Sequence, residues 1–216
     1  MESYAKSLCS FANYLDISVN LEEKSLAVLK VFKELEEEAR QFTSESGLGC
    51  ISGCGACCAN PQIPASPLEF LPLAFDFYKK GIAESILILL DSDDENSNCI
   101  VYRANSIDNK SGYCTNYLNR GMICRLFAVS ARKNKYGLKD IIICKTLKEA
   151  KNAAFQEATN RINTDLPIPS ASKFYMLLDE IDSSLTQQMP INKAIAFSLE
   201  LVLRYKFYEE GIEEGV

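Results

Sequence analysis

The sequence predicts a mainly helical α+β fold, with helices surrounding a small cysteine-rich segment that carries short β-hairpins. Three observations lead there. Apolar residues recur about every 3.6 positions in both flanks of the chain. Between residues 99 and 145 that pattern gives way to β-branched runs separated by turn residues. Eight of the nine cysteines fall between Cys50 and Cys144.

Residues 1–46 read as helical. Leu21, Ala27, Val28, Val31, Phe32, Leu35 and Ala39 form an apolar stripe, with Glu22, Glu23, Lys24, Lys33 and Glu36–Glu38 on the other side. Cys9 lies alone in this stretch and reads as a small buried hydrophobe, not a ligand. Serine and glycine residues in Thr43–Gly49 end the helix. Two prolines in Asn60–Ala65 favour extended chain. Ser66-Pro67-Leu68-Glu69 then reads as a helix start. Ser66 can cap, Pro67 suits the first helical position, and Glu69 completes a capping box. Leu68, Leu71, Phe75 and Tyr78 continue the stripe to Lys80-Gly81, and a second short helix is predicted over Ile82–Leu90. Asp91–Glu95 has the composition of a calcium loop without its ligand order, and reads as a solvated loop.

Cys99–Arg103 is predicted as a strand, Asp108–Gly112 as a turn and Tyr113-Cys114 as the return. Leu126–Arg132 and Leu138–Cys144 flank Asn134–Gly137 as a second hairpin. From Thr146 the chain is helical again. Leu147, Ala150, Ala154 and Ala158 form one stripe, broken by Pro167 and Pro169. Phe174, Leu177, Leu178, Ile181 and Leu185 form the next, ended by Met189-Pro190. Ile195, Leu199, Val202, Leu203 and Phe207 form the last, and the acidic tail from Glu209 reads as a solvated end. The whole is expected to be a single domain, 1–216. A cysteine-rich core at about residues 47–146 lies between helical flanks 1–46 and 147–216.

Composition narrows the function classes. With 216 residues and 47 % apolar content, the chain can bury a real core. A net charge of −6 argues against a nucleic-acid partner. The N-terminus lacks a basic region followed by an apolar one, so no secretory signal is read. Ile86–Leu90, the longest apolar run, is too short to span a bilayer. These features predict a soluble cytoplasmic protein with no membrane or nucleic-acid partner, and leave a protein partner open. Nine cysteines in a reducing compartment favour metal over disulfides. Histidine is absent, which removes histidine general bases, triads and metal ligands together.

The chemistry centres on Gly49–Cys58, where Cys50, Cys54, Cys57 and Cys58 lie within nine residues among glycines. Glycine permits positive φ, so such a loop can wrap tightly around a centre. Cys54-x-x-Cys57 lets two thiolates reach one ion from a single turn. In an extended segment the adjacent Cys57 and Cys58 would point opposite ways and do different jobs. Either one ligates while the other packs, or each serves a different centre. Cys99, Cys114, Cys124 and Cys144 sit at the edges of the predicted hairpins, and with the loop they make eight candidate metal ligands.

Cys54-x-x-Cys57-Cys58, followed by Cys114-x-x-Tyr117-x-x-Arg120-x-x-x-Cys124-Arg125, resembles the cysteine-cluster family of zinc- or iron-chelating proteins named for its CxxCxxCC motif. The flagellin lysine-N-methylases are related to that family. Cys99 and Cys144 occupy the expected flanking positions, and the resemblance covers about residues 50–145. Two departures stand out. The first gap, Cys50-x-x-x-Cys54, is one residue longer than the usual form, and Gly121 stands where the family has proline. The resemblance implies a bound metal centre. It implies neither a choice between zinc and iron–sulfur nor a defined reaction.

Spacing restricts how ligands combine. Cys114 and Cys124 on one straight helix would be about 15 Å apart, whereas two sulfurs on one metal each lie ~2.3 Å from it. Either Gly121 breaks the helix and folds Cys124 back, or the two thiols serve opposite sides of a larger cluster or separate centres. Arg120 and Arg125 are candidates to offset the negative charge of thiolate ligands, and Tyr117 to supply a hydroxyl or to pack. All-sulfur ligation suits zinc or an iron–sulfur cluster. Adjacent Cys57-Cys58 in a tight glycine loop, with arginines nearby, favours iron–sulfur over zinc.

Two function classes follow. One is a metal-binding module: an electron-transfer unit, a metal carrier or a partner-binding protein. The alternative is a protein-modifying enzyme of the lysine-N-methylase type that uses the cluster. No Rossmann-type glycine loop is present. Cys50-x-x-x-Cys54-x-x-Cys57 has the spacing of the radical S-adenosylmethionine motif. Ala56, however, replaces the aromatic residue usual before its last cysteine, and no repeated βα pattern follows.

Overall fold

The computed structural model describes residues 21–55, 57–92, 97–105 and 111–213, with side chains to residue 210. Helix α1 (Leu21–Ser46) buries Leu21, Val28, Phe32 and Leu35 of the predicted stripe together with Ser25 and Phe42, while Ala27, Val31 and Ala39 are half-buried. Residues 1–20, Cys9 among them, lie outside the described residues. The face of α1 packs on α2 (Leu71–Lys79), and on a later helix, Ala171–Asp182, called α7 below. Helix α3 (Ala83–Ser92) follows α2, and the long final helix, Ile191–Glu213 (α8), packs on both. Phe32, Leu35, Phe70, Leu71, Phe174 and Leu199 lie at the heart of the resulting apolar core. A smaller cluster, built on Phe42, Leu48, Ile162 and Leu166, seals the far end of α1.

Among the described residues three antiparallel strand pairs complete the architecture, so the fold is mainly helical α+β. The pair β1 (Pro64–Ala65) and β6 (Met189–Pro190) fastens the extended linker to the start of α8, with Pro64 opposite Pro190. The first hairpin pairs β2 (Tyr102–Ala104) with β3 (Gly112–Cys114), placing Tyr102 opposite Cys114. Cys99–Val101, expected in that strand, instead forms the turn before it, where Tyr102 N–H donates to Cys99 O at 2.8 Å. The second hairpin pairs β4 (Ala131–Lys133) with β5 (Lys139–Ile141).

The second hairpin is shorter than its β-branched runs predict. Its expected first residue, Leu126, ends helix α4 (Met122–Leu126), and Phe127–Val129, with Ala128 at φ +71°, turn the chain before β4 begins. The single stripe predicted over Leu147–Ala158 divides into α5 (Lys145–Ala150) and α6 (Asn152–Arg161). Lys151 leaves the helical region at φ −120°, ψ 41°, and its Nζ donates to Gly47 O at 2.9 Å. Of that stripe only Leu147 and Ala158 are fully buried.

The predicted helix start at Ser66 is present, with a different division of labour. Glu69 is wholly buried; its Oε1 accepts from Ser66 N at 2.7 Å and from Ser66 Oγ at 3.0 Å. Ser66 Oγ therefore donates to the carboxylate and caps no backbone N–H. A 3₁₀ turn, Leu68–Phe70, precedes α2, and Ser198 Oγ donates to Pro67 O at 2.6 Å, tying this turn to α8. The other carboxylate oxygen of Glu69 accepts from Ile123 N at 3.1 Å, at the first turn of α4. One acidic side chain thus satisfies orphan donors at two element starts.

Burial raises the Glu69 carboxyl above its ordinary value, against the pull of donors from Ser66, Ile123 and Met122. A raised carboxyl favours folding while protonated, so its contribution is full below the unfolded value and is lost as pH rises through the folded one. Glu69→Gln turns an acceptor into a donor against those N–H groups and is expected to destabilise by about 1–3 kcal/mol. It should also remove the Glu69 part of the pH dependence of stability. Denaturant unfolding from pH 4 to 8 checks both; an unchanged midpoint would show that Glu69 does not join these elements.

Candidate metal centre

The cysteine loop is a sequence of tight turns. Gly53 and Gly55 both take positive φ, at +72° and +62°, the region open to glycine at little cost. Cys54 N–H donates to Ile51 O, and beyond Gly55 the chain makes a helix-like turn in which Ala59 N–H donates to Gly55 O at 3.0 Å. Cys57 and Cys58 lie in that turn. Both line the same cavity, and only Cys58 also packs against the apolar core, so the two adjacent thiols meet different surroundings.

The first hairpin is fastened onto this loop from two sides. Cys99 N–H donates to Cys58 O at 3.0 Å, and Gly112 N–H donates to Gly53 O at 2.9 Å. Between these bonds lies the Tyr102 ring. A Cβ placed on Gly55 would stand 2.5 Å from Tyr102 Cε2, and one on Gly112 only 2.4 Å from it. The two glycines let the ring lie flush against loop and hairpin together.

Helix α4 supplies the third wall. Arg120 and Gly121 are extended, with Gly121 at φ −65°, ψ 170°, so Cys114 and Cys124 stand on separate elements, as their spacing requires. That φ would suit proline. A Cβ at Gly121 would nevertheless approach Glu69 Oε2 and Phe70 Cζ to 2.7 Å, which accounts for glycine at this position.

These three walls enclose a cavity of about 460 Å³. Seven thiols line it: Cys50, Cys54, Cys57, Cys58, Cys99, Cys114 and Cys124. Ile63, Phe70, Leu73, Val101 and Ile191 supply apolar wall. Cys144, the residue before α5, is half-buried and outside the lining, close enough to Cys50 for their charges to interact. Among the described residues, no three thiols or carboxylates stand as a closed ligand set; the thiols surround the cavity, and turning about their side-chain torsions is needed to close on a centre.

Tyr117 and Arg120 both line the cavity. The Arg120 guanidinium lies over the Tyr117 ring at 3.7 Å, and its Nη1 donates to Tyr117 O at 3.2 Å. Its Nε is buried and has no hydrogen-bond partner among the described residues. A buried, unpaired donor on a cation is costly, and in a thiol-lined cavity it matches an anionic group. Arg125 behaves differently from its neighbour. Its buried guanidinium pairs with Glu36, donates to Leu118 O and to Arg120 O, and lies 4.3 Å over the Phe32 ring. Arg125 therefore holds the 118–120 segment to α1 and does not line the cavity.

The thiols are tuned by the same surroundings. Burial pushes Cys99 up to about 12 and raises Cys124 well above the ordinary range. Cys50 and Cys114 are raised chiefly by burial as well. Cys57 is lowered, first by the hydrogen bond from Cys58 and further by the Arg120 charge; Cys58 is raised by the same bond and by burial. Most of these thiols hold their protons until a cation displaces them. An all-sulfur donor set, an apolar wall and an unsatisfied guanidinium N–H together fit zinc or an iron–sulfur cluster.

Sequence reasoning placed Glu69 only as a local cap and gave Tyr102 no role beyond its strand. The capping signal Ser66-x-x-Glu69 marks the first end of that carboxylate's reach and not the second. No local pattern marks a ring that rests on two distant glycines. A family model, CxxCxxCC, described as "Putative zinc- or iron-chelating domain", matches residues 49–158, just over half of the chain. No curated protein and no solved structure matches it.

Since Gly112 does not need positive φ, Gly112→Ala tests the ring contact by sterics alone. It is expected to destabilise by about 1–3 kcal/mol through overpacking against Tyr102 and the Arg103 carbonyl. Urea unfolding measures this, and wild-type stability would contradict the packing of Tyr102 on the hairpin.

Proposed function

The chain belongs to the CxxCxxCC family of zinc- or iron-chelating domains, and from that premise we propose that it is a cytoplasmic metal-binding module whose clustered thiols hold an iron–sulfur cluster in preference to zinc. The observation that carries this reading is the gathering of seven thiols from the cysteine loop, the first hairpin and α4 around one cavity with an unpartnered Arg120 Nε. The proposed ligands are Cys50, Cys54, Cys57, Cys58, Cys99, Cys114, Cys124 and Cys144. When bound, an iron–sulfur cluster supplies one-electron chemistry, and zinc supplies a rigid crosslink.

The chain's own residues do the rest. Arg120 offsets thiolate charge at the cavity wall, and Tyr117 holds its guanidinium in place by stacking. Phe70, Leu73 and Val101 exclude water from the inner side. Two features favour iron–sulfur: an adjacent Cys57-Cys58 pair lining one cavity, and a half-buried guanidinium beside it whose Nε is buried and unpartnered. Such a module would serve as an electron-transfer unit, a metal carrier or a partner-binding protein. A second reading, a protein-modifying enzyme of the lysine-N-methylase type, draws support from the cavity volume of about 460 Å³, which falls in the range of small-ligand sites.

Anaerobic purification with iron, zinc and acid-labile sulfide analysis, and a visible spectrum, tests the proposal. Iron and sulfide in comparable amounts with broad visible absorption are expected. A colourless, iron-free, zinc-stoichiometric sample would reject iron–sulfur, and a metal-free sample would reject metal binding altogether. Cys57→Ala should lose metal that Cys9→Ala retains. Arg120→Gln should shift the midpoint potential of a bound cluster downward, because removing a nearby cation disfavours the added electron.

A further inference from the structure

We propose that the eight thiols divide into two four-sulfur centres, an inner one of Cys58, Cys99, Cys114 and Cys124 and an outer one of Cys50, Cys54, Cys57 and Cys144. This rests on the metal-binding reading above and states how its ligands are shared.

Packing gives the division first. Cys99 is only 5 % exposed and belongs to the main apolar core, and Cys58, Cys114 and Cys124 pack against that core. Cys50, Cys54, Cys57 and Cys144 belong to neither apolar cluster among the described residues. Backbone links agree. Cys99 N–H is bonded to Cys58 O, and Cys114 stands opposite Tyr102, three residues after Cys99. On the outer side, Lys151 Nζ bonds Gly47 O, which anchors the α5–α6 junction beside the start of the cysteine loop and keeps Cys144 near Cys50.

Electrostatic neighbourhoods overlap at Cys57, which interacts with Cys50 and with all four inner thiols. Cys50 feels the charges of Cys54, Cys57 and Cys144. Cys124 feels Cys99, Cys57 and Cys114, and Cys58 feels Cys57 first and then Cys124 and Cys99. Cys57 interacts with both sets and marks the seam between them. Successive residues of a helical turn are rotated by about 100°, so Cys58 can pack on the core while Cys57 faces the loop. Arg120 lines the same cavity and its charge acts on one thiol of each set, Cys57 and Cys114.

Ligand number fits this division. Four thiolates close one tetrahedral zinc site or one four-cysteine cluster, so eight close two. The two centres differ in access. The inner thiols lie against the core, whereas Cys50 is exposed, so the outer centre exchanges first.

The test is anaerobic titration of the full reduced chain with cobalt(II), followed by removal with a chelator. Two cobalt ions per chain are expected, each with thiolate-to-metal charge-transfer absorption. They should leave in a fast and a slow phase of equal amplitude. Cys50→Ala and Cys144→Ala, both outside the apolar clusters, should bind one cobalt and lose only the fast phase. Cys114→Ala should bind one cobalt and lose only the slow phase. Saturation at one ion, with Cys144→Ala and Cys114→Ala both abolishing it, would overturn the division and leave the metal-binding reading standing. Two ions retained by Cys144→Ala would overturn it as well. A wild-type chain that binds no cobalt would overturn both.

Discussion

The structure depends on one fastening, the cysteine loop held against the first hairpin through Tyr102. Two backbone hydrogen bonds, Cys99 to Cys58 and Gly112 to Gly53, fix the register, and the ring fills the space that Gly55 and Gly112 leave open. Without that contact the loop has little to shape it. Its own turns bury few apolar groups, and its thiols repel one another once ionised. The contact places Cys57 and Cys58 from the loop beside Cys99 and Cys114 from the hairpin, residues far apart in the chain.

A second constraint brings in Cys124. Glu69 reaches from the start of α2 to the first turn of α4, and Gly121 leaves room for its carboxylate. Arg125 secures the same short helix from behind by pairing with Glu36 on α1. A five-residue helix has little stability of its own, so these polar contacts and the burial of Met122 and Leu126 define where it sits. The helical scaffold thus positions the cavity without supplying its thiols.

The helices were the most legible part of the chain, because stripes such as Val28, Phe32 and Leu35 repeat with the helical period over several turns. The hairpins were legible in order but not in extent. Strands of three residues are bounded by their contacts, as Ala128 and the turn at Cys99 show. The β1–β6 pair was hidden because its partners are remote in sequence and each is only two residues long. At the site, seven of the eight clustered cysteines line one cavity and Cys144 lies outside its lining, while Cys114 and Cys124 stand on separate elements. Adjacency to a cysteine misled at Arg125, which faces α1 although Arg120 faces the thiols. Direction around a turn is set by neighbours that a local pattern does not contain.

The proposed metal binding requires the thiols of Cys50–Cys144 to act together as ligands. Site-resolved alkylation of the native protein, read by mass spectrometry before and after anaerobic chelation, tests it most directly. These eight cysteines are expected to be protected in the metal-loaded protein and to become reactive together, or as two groups of four, once metal is removed. Reaction at the same sites and rates with and without chelation would contradict it.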